Sequence, residues 1–520
     1  MSAPARSRYD AVIIGGGHNG LVCATYLARA GRSVLLLEAA GRLGGAAVTR
    51  EFAPGFRVSA GAHLLHLMPP GLLRELNLGA HGLKMAAAGL PTVALSRDGQ
   101  HLLMGGRAVP TLSSADAQAY TEWRRLLGRI AAALHPVLNE PPPRLGTDAW
   151  SDRTALMRLG WRLRRLGRRD LRELLRVGLM NIHDLLEERF QSPLLKGALA
   201  LDAVLGTNYG PRSPGTVLSL LYRLAATHGS DALSLPEGGL GAVSAALAQA
   251  ATAAGAEVLT SQPVARILVK EDRACGVALA SGAEVSAGVV ISNADPKRTF
   301  LDLLGAEHLD AGFVRRIAQL RTHGVTAKLH LALQRLPQFS GLDAAALRGR
   351  LLVAPDADYL ERAYNHAKYG EYSQAPMLEV TLPTLTDPAL APPGQHVASV
   401  IVQYAPYRLA EGWDGGRQRL TDIVIDTLGA HAPDLRQCVM ASELLVPTDI
   451  EREFGITGGH WHHAELAFDQ FFMVRPVPGA TQYRTPLPGL FLCGAGCHPG
   501  GGVMGLAGRN AARQVMHEVA

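Results

Sequence analysis

The stretch at residues 10–38, DAVIIGGGHNGLVCATYLARAGRSVLLLE, limits the fold of this chain more than any other part of the sequence. It opens with an apolar run at 11–14 that does not alternate, which predicts a parallel strand covered on both faces. A glycine-rich turn, a helix-forming segment, a second apolar run at 34–37 and a terminal acid follow in that order. This order predicts a βαβ unit that binds a dinucleotide.

The turn carries three glycines, Gly15, Gly17 and Gly20, at the G-x-G-x-x-G spacing. The first permits a tight turn, the second lets a pyrophosphate approach the backbone, and the third lets the helix pack closely on the strand. Glu38 ends the second strand, where a carboxylate can accept hydrogen bonds from ribose hydroxyls and disfavours a 2′-phosphate. Because strand, helix, strand and acid accompany the glycines, a nucleotide site is favoured over a merely structural turn.

The segment that follows this acid favours FAD over NAD. Arg42, Gly44 and Gly45 come shortly after Glu38. A basic side chain and two small residues there would let the loop fold back over a pyrophosphate, with the arginine supplying charge and forked donors. Such a loop is expected around a deeply held cofactor; the alternative is an ordinary surface arginine.

Composition argues against several classes of protein. Lys and Arg number 51 against 45 Asp and Glu, a formal charge of +6 that does not suggest nucleic acid, and no nucleic-acid motif accompanies it. No run of about 18 apolar residues predicts a membrane span, so a cytoplasmic protein is expected. Five widely spread cysteines argue against a disulfide framework. The histidines at 460, 462 and 463 lack the partner spacing of a closed metal site, so we predict no metal.

Later segments predict further strands and helices. A helix is predicted after LPEGG, with apolar residues at 240, 243 and 247 and a stop at Gly255. Strand-like runs follow at 264–269, 275–279 and 289–292, and another at 490–493 leads into a final helix. Alternation at 326–333, 377–382 and 397–404 predicts antiparallel strands with one covered face.

Motifs from the whole chain resemble the phytoene desaturase superfamily of FAD-dependent oxidoreductases. The carotenoid ketolases of the same superfamily also resemble this chain. The motifs are DAVIIGGGHNGLVCATYLARAGRSVLLLEAAGRLGGAAVT, LPEGGLGAV, ISNADP and LFLCGAGCHPGGGVMGLAGRNAA. The resemblance implies FAD, with its phosphates at the glycine turn, its ribose at Glu38 and its pyrophosphate near the arginine loop. It also implies that Val264 presents its backbone to the adenine. It places Gly502, Val503 and Met504 along the flavin, and Gly494 elsewhere at the cofactor.

The predicted fold class is α/β, with a Rossmann-type FAD-binding domain and a discontinuous second α+β substrate domain. We expect the FAD-binding domain to comprise residues 1–72, 234–301 and 486–520. The substrate domain would then comprise residues 73–233 and 302–485.

The resemblance implies hydride removal from a substrate carbon to flavin N5, which creates a C=C or C=N bond, followed by reoxidation through oxygen or a quinone. His63, His463 and His498 are candidate bases because they lie within or beside segments placed near the flavin; a structural role is the alternative for each. Three hypotheses stay open. They are an enzyme acting on a small or amphiphilic metabolite, a membrane-associated carotenoid desaturase or ketolase, and a flavin-binding interaction protein with little turnover.

The segment between Arg153 and Arg176 holds nine arginines interleaved with leucines and Trp161. Such a basic amphipathic surface could rest on anionic lipid headgroups or on a partner. The alternative is a solvated helix whose apolar stripe packs on the core. The expected partners are a small-molecule or lipid-like substrate and, through this segment, a membrane surface.

Overall fold

The computed structural model describes residues 4–104, 111–227 and 233–519. Its strands are β1 (Arg8–Ile14), β2 (Val34–Leu37), β3 (Thr49–Ala53), β4 (Phe56–Ser59), β5 (Met85–Leu90), β6 (Thr92–Ala94), β7 (Leu102–Met104), β8 (Leu233–Pro236), β9 (Glu257–Leu259), β10 (Val264–Lys270), β11 (Arg273–Leu279), β12 (Glu284–Ser292), β13 (Thr326–Leu333), β14 (Arg350–Val353), β15 (Leu378–Thr381), β16 (His396–Gln403), β17 (Val439–Leu445) and β18 (Leu490–Leu492).

The α-helices of the described residues are distributed along the whole chain. They are α1 (His18–Arg29), α2 (Pro70–Glu75), α3 (Ser114–Asn139), α4 (Trp150–Arg164), α5 (Gly167–Val177), α6 (Ile182–Glu187), α7 (Pro193–Val204), α8 (Thr216–Ala226), α9 (Gly241–Ala253), α10 (Ala311–Ala318), α11 (Ala344–Leu347), α12 (Ala357–Lys368), α13 (Trp413–Gly429), α14 (Leu435–Cys438), α15 (Pro447–Phe454) and α16 (Leu506–Val519). A π-helical stretch spans Arg298–Leu304.

The first sheet has the strand order β10-β11-β12-β1-β2-β9, with β18 beside β12. Its centre is parallel, because β1 pairs in parallel with both β12 and β2, while β10, β11 and β12 form an antiparallel meander. Helix α1 packs against both α9 and α16. Three separated parts of the chain, 8–37, 257–292 and 490–492, therefore build one sheet, whose parallel centre with α1 between β1 and β2 has the Rossmann-type βαβ arrangement.

The strands of this sheet match the sequence-based expectations closely. The apolar runs at 11–14 and 34–37 are buried strands, and the runs at 264–269, 275–279 and 289–292 lie within β10, β11 and β12. Helix α9 ends at Ala253, and Gly255 follows with φ +98°, so the predicted stop is confirmed. The short strand β9 was not predicted from the sequence; it extends the parallel sheet beside β2. The domain boundaries stay a prediction.

The second sheet has the order β17-β13-β16-β15-β14-β6-β7 and is antiparallel except where β14 pairs with β6. The prediction of antiparallel strands at 326–333, 377–382 and 397–404 is confirmed, but the prediction of only one covered face is wrong. All eight residues of β13 are buried. Leu329 and Leu331 join an apolar cluster with α13, whereas the alternate residues Lys328 and His330 are also buried, on the opposite face. The polar half of the alternation therefore marks an internal site.

A largely helical region, α3 to α8, packs on this second sheet through α7 and α8. Helices α4 and α5 carry most of the arginines of the basic segment. In the part of the chain that the structure describes, every helix is too short or too polar to cross a bilayer.

Candidate active site

A single cavity of about 770 Å³ is lined by residues from both sheets. Its size falls within the range of small-molecule and cofactor sites, about 300–1,000 Å³. We call two parts of this cavity the nucleotide arm and the inner arm. The nucleotide arm is lined by Gly15, Gly17, Glu38, Arg42, Gly44, Gly45 and Val264. The inner arm is lined by His63, His66, Asp202, Tyr222, Arg223, Glu379, Trp461 and His462.

The glycine turn places the N-terminus of α1 at the nucleotide arm. Gly17 is the residue before the helix, and no side chain of the described residues caps its first turn, so those N–H groups are left for an external anion. A Cβ on Gly17 would lie 2.8 Å from Asn293 Nδ2, and a Cβ on Gly20 would lie 2.2 Å from the Gly15 carbonyl oxygen. A side chain at Gly20 would therefore clash with the backbone, whereas one at Gly17 would require the Asn293 side chain to move. This cradle fits the phosphates of FAD.

Glu38 follows β2 directly and lines the nucleotide arm. Its Oε2 accepts a hydrogen bond of 2.7 Å from the Gly16 N–H, and its Oε1 accepts one of 2.8 Å from the Ala40 N–H. These bonds hold the carboxylate in place, and each oxygen keeps a lone pair that a ribose hydroxyl could use.

The loop at Gly44 returns to the glycine turn, as the sequence predicted. The Gly44 N–H donates to the Gly16 carbonyl at 2.8 Å, and Gly44 forms an isolated parallel bridge with Gly17. Arg42 lines the same arm, where its Nη2 lies 2.8 Å from Glu453 Oε1 and its side chain is 45% exposed. Its role toward the pyrophosphate stays a prediction.

The residues that the resemblance placed at the adenine and the flavin or elsewhere at the cofactor fall into two groups. Val264, Gly502 and Val503 line the cavity. Gly494 and Met504 are buried behind the lining: a Cβ on Gly494 would lie 2.5 Å from the Asn293 carbonyl oxygen, and Met504 packs in an apolar cluster with Leu67 and Tyr222. Both pack behind the lining, and their role toward the cofactor stays a prediction.

The three candidate bases are not equivalent. His63 and His463 line the cavity, and burial lowers the pKa of each to about 4, so both are neutral at pH 7. The Nδ1 atom of His463 is buried without a hydrogen-bond partner among the described residues. His498 lies outside the lining and its Nε2–H donates to the Val137 carbonyl at 2.8 Å. Its ring contacts Phe472, which is a structural arrangement.

The sequence did not reveal the charged side chains around His63. Lys328 Nζ donates to His63 Nδ1 at 2.6 Å, and His63 Nε2–H donates to Glu379 Oε1 at 2.8 Å. Burial lowers the pKa of Lys328 to about 7, against the opposing effect of the Glu379 carboxylate. Both ring nitrogens of His63 are therefore occupied by hydrogen bonds, and His63 lies between the Lys328 amine and the Glu379 carboxylate.

Two arginines and a second carboxylate extend this network. Arg350 Nε donates to Glu379 Oε2 at 2.6 Å, and Arg350 Nη2 lies 2.8 Å from Asp202 Oδ1. Asp202 Oδ1 also lies 3.3 Å from Arg223 Nη2. These residues come from β13, β14, β15, α7, α8 and the segment after β4. The alternation of Lys328 and His330 with leucines in β13 instead predicted that this face is exposed, so the sequence contains no local signal of the network.

Other titratable groups of the described residues add no metal site, since none of them form a group of three His, Cys, Asp or Glu that could hold an ion. His462 and His463 line the cavity, and His460 lies buried beside them, with its Nε2 3.5 Å from Glu465 Oε2. All five cysteines are free thiols. Burial raises the pKa of Cys497 to about 12, so that thiol is inert at neutral pH.

Comparisons with known proteins agree with this geometry. A family model described as "Flavin containing amine oxidoreductase" matches residues 20–516. The chain is 39% identical over 557 residues to pyridine nucleotide-disulfide oxidoreductase domain-containing protein 2 of Mus musculus, covering 99% of this chain and 94% of that protein. It is 26% identical over 534 residues to a phytoene desaturase (lycopene-forming) of Paracoccus sp., with 99% of each covered.

The fold is also similar to the structure of a putrescine oxidase bound to putrescine. The TM-score is 0.61 at 18% identity, with 98% of this chain and 99% of that chain covered. The fold class, the cofactor and the resemblance inferred from the sequence are thus confirmed. The chain belongs to the flavin containing amine oxidoreductase family and is an FAD-dependent oxidoreductase.

Proposed function

We propose that this protein removes a hydride from a C–H bond of a small or amphiphilic organic substrate and is reoxidised by oxygen or a quinone. The observation that carries the proposal is that one cavity joins the uncapped N-terminus of α1 to a buried set of charged side chains. When bound, FAD supplies the hydride acceptor, as is usual for flavin enzymes. The chain itself supplies binding, orientation and charge.

The residues of the two arms have different tasks in this proposal. Gly15 and Gly17 receive the phosphates, and Glu38 binds ribose. In the inner arm, Glu379 fixes the tautomer of His63 by accepting its Nε2–H. Of the two candidates that line the cavity, His463 has the ring nitrogen without a partner among the described residues, so we assign the role of base to it, against the opposing effect of burial on its pKa.

The inner arm favours a substrate with a polar group over a pure hydrocarbon. Asp202, Arg223 and Glu379 all line it, and a long polyene placed against them would remove charges from water without offering hydrogen bonds. The same cavity of about 770 Å³ must also hold FAD, which leaves room for a compact group beside the cofactor. Carotenoid desaturation is therefore the second candidate function, and its support is the similarity of the chain to a phytoene desaturase.

The purified protein with bound FAD tests the proposal through its visible spectrum. Substrates of several classes, including amines, carboxylates, alcohols and a carotenoid, are added under anaerobic conditions. Rapid bleaching of the flavin band by a compact polar substrate, with recovery on adding oxygen or a quinone, is the expected result. Bleaching by the carotenoid alone would replace the proposal with the second candidate, and an unbleached flavin throughout would leave an interaction protein.

We further propose that α4 and α5 rest on the surface of an anionic membrane. Trp150, Met157 and Trp161 follow a helical spacing on α4 and are 71, 57 and 62% exposed, which is unusual for large apolar side chains. Arginines that make no ion pair with any described residue follow them, from the end of α4 into α5. They are Arg164, Arg165, Arg168, Arg169 and Arg172. Exposed aromatic residues beside free cations match the interfacial helices of peripheral proteins.

Sedimentation with vesicles that contain phosphatidylserine tests this surface. Replacing Arg164, Arg165, Arg168 and Arg169 by glutamate should abolish binding at about 0.1 M salt, since each juxtamembrane cation contributes about 1 kcal/mol. A control protein with the same change of charge carries the reversals R57E, R97E, R315E and R348E, all at exposed positions outside the segment. Equal loss in both proteins, or no binding by the wild type, would reject the membrane contact.

A further inference from the structure

A second cavity of about 110 Å³ adjoins the inner arm. It lies among α3, α7 and α8 and the strands β6 and β7, and it shares His66, Asp202 and Arg223 with the lining of the active-site cavity. Its volume equals roughly four water molecules, which suits a short alkyl chain. The two cavities therefore meet at an ion pair.

The wall of the second cavity is mainly apolar. Trp123, Leu127 and Leu220 are buried there, and the partly exposed residues Arg124 and Gly128 lie at its rim. Most of these residues belong to α3 and α8, which pack against each other. A ligand that uses both cavities must therefore have an apolar part and, at the junction, a polar part.

The charges at the junction select the sign of that polar part. Each carboxylate is already held by two partners: Asp202 by Arg350 and Arg223, and Glu379 by Arg350 and His63. Each carboxylate therefore already has a cation beside it, although Oδ1 of Asp202 makes no hydrogen bond with a described residue. Arg223 has five N–H donors, and its ion pair within the described residues is the single contact of 3.3 Å to Asp202. Its side chain is 20% exposed, and it lines both cavities, so a ligand in either cavity lies beside it.

A second polar atom lies at the same place. Nδ1 of His66 is buried without a hydrogen-bond partner among the described residues, and His66 lines both cavities. An Nδ1–H tautomer of this imidazole would donate to an anion bound by Arg223. An unpaired buried polar atom is costly, about 1–3 kcal/mol, unless a ligand satisfies it.

We propose that the substrate is a carboxylate with an apolar chain, whose carboxylate pairs with Arg223 and accepts from His66 while its apolar chain lies in the second cavity. This inference rests on the proposed function and adds the substrate class to it. It sets this protein apart from an oxidase of cationic amines, because the carboxylates that would bind an ammonium group are already paired with Arg350 and Arg223.

Calorimetric titration of the FAD-bound protein with hexanoate, hexylammonium and 1-hexanol tests the inference without requiring turnover. Hexanoate should bind at least tenfold more tightly than hexylammonium. The variant Arg223→Gln should lose at least tenfold in hexanoate affinity and leave the affinity for 1-hexanol within twofold. Its bound FAD and melting temperature are measured in parallel.

A variant that leaves the charges intact examines the second cavity separately. An added Cβ on Gly128 meets no atom within 4 Å, so Gly128→Phe can fill the rim without a backbone clash. It should weaken hexanoate at least fivefold while leaving acetate unchanged. The matched control is Gly160→Phe on α4, where an added Cβ is equally free. If Arg223→Gln does not fold, this pair of variants decides the question.

The outcomes separate the inference from the proposed function. Equal binding of hexanoate and hexylammonium, or hexanoate affinity unchanged by Gly128→Phe, would overturn the inference even if a substrate bleaches the flavin. Conversely, hexanoate binding that depends on Gly128 and Arg223 would support the carboxylate site even if no tested compound reduces the flavin, which is the failure of the proposed function.

Discussion

The two arms of the cavity are built in opposite ways. The nucleotide arm comes mostly from one short segment, from Gly15 to Gly45, and acts through main-chain groups and the absence of side chains. The inner arm joins His63, Asp202 and Glu379, which are far apart in sequence, and acts through charged side chains. A local backbone requirement leaves a motif in the sequence, whereas a network of distant charges does not.

The arms also differ in how they depend on burial. Glu38 is held by main-chain N–H groups at the protein surface, and its neighbour Arg42 is half exposed. Glu379 and Arg350 are both buried, with side chains 5 and 4% exposed. A buried pair is costly to break, whereas an exposed pair contributes little. Substitutions in the inner arm should therefore affect stability, and those in the nucleotide arm should affect FAD binding.

The largest effect is expected from Glu379→Ala. Removing this carboxylate leaves Arg350 and Lys328 buried without their main anion, which should lower the free energy of unfolding by about 3–5 kcal/mol. The measurement is urea unfolding in excess FAD. Glu371→Ala is the control, because Glu371 pairs with His366 at the surface and should cost less than about 1 kcal/mol. Similar losses in both variants would show that the inner arm is not a buried ionic network.

The next largest effect is expected from Gly20→Ala, which addresses the nucleotide arm. The added Cβ would lie 2.2 Å from the Gly15 carbonyl oxygen, so α1 must move away from β1. We expect a loss of about 1–3 kcal/mol in stability and of most bound FAD, read from the ratio of flavin to protein absorbance. In the control Gly160→Ala, an added Cβ meets no atom within 4 Å, and the helix should be stabilised slightly. Full FAD content in Gly20→Ala would contradict the assignment of this turn.

The same difference explains what the sequence could predict. β1, β2, the turn at Gly15 and the pairing of the Gly44 loop with it follow from local pattern. Arg350 and Asp202 carry no local signal, because their meeting depends on how β14 packs against α7. For Met504, the structure shows that the side chain packs in the apolar cluster behind the lining, and its place along the flavin stays a prediction from the resemblance.

A smaller effect is expected from pH, through Lys328. Its pKa falls from 10.5 in the unfolded chain to about 7 in the folded protein, chiefly through burial. Between these values the unfolded state binds more protons, so this group makes stability rise with pH above about 7, by at most about 1.4 kcal/mol per pH unit. Below about pH 7, both states are protonated and the contribution is constant. We expect the difference in unfolding free energy between pH 7.0 and 8.5 to be smaller in Lys328→Met than in the wild type. Identical pH profiles would mean that the lysine stays charged in the fold.

The smallest effect distinguishes the two sides of one exposed ion pair in the nucleotide arm. Arg42 and Glu453 are partners, but only Arg42 is expected to meet the pyrophosphate. Arg42→Gln should weaken FAD by about 1 kcal/mol, roughly fivefold in Kd, because its charge is partly screened by solvent. Glu453→Gln removes the same ion pair, and also that of Glu453 with Arg50, yet keeps the positive charge of Arg42, so FAD should bind equally well or more tightly. Titration of the cofactor-free protein with FAD measures both. Equal weakening by the two variants would show that the ion pair supports the loop and that Arg42 has no role of its own at the pyrophosphate. The nucleotide arm would then bind the pyrophosphate through main-chain groups alone. That result would make its difference from the inner arm, which acts through charged side chains, larger.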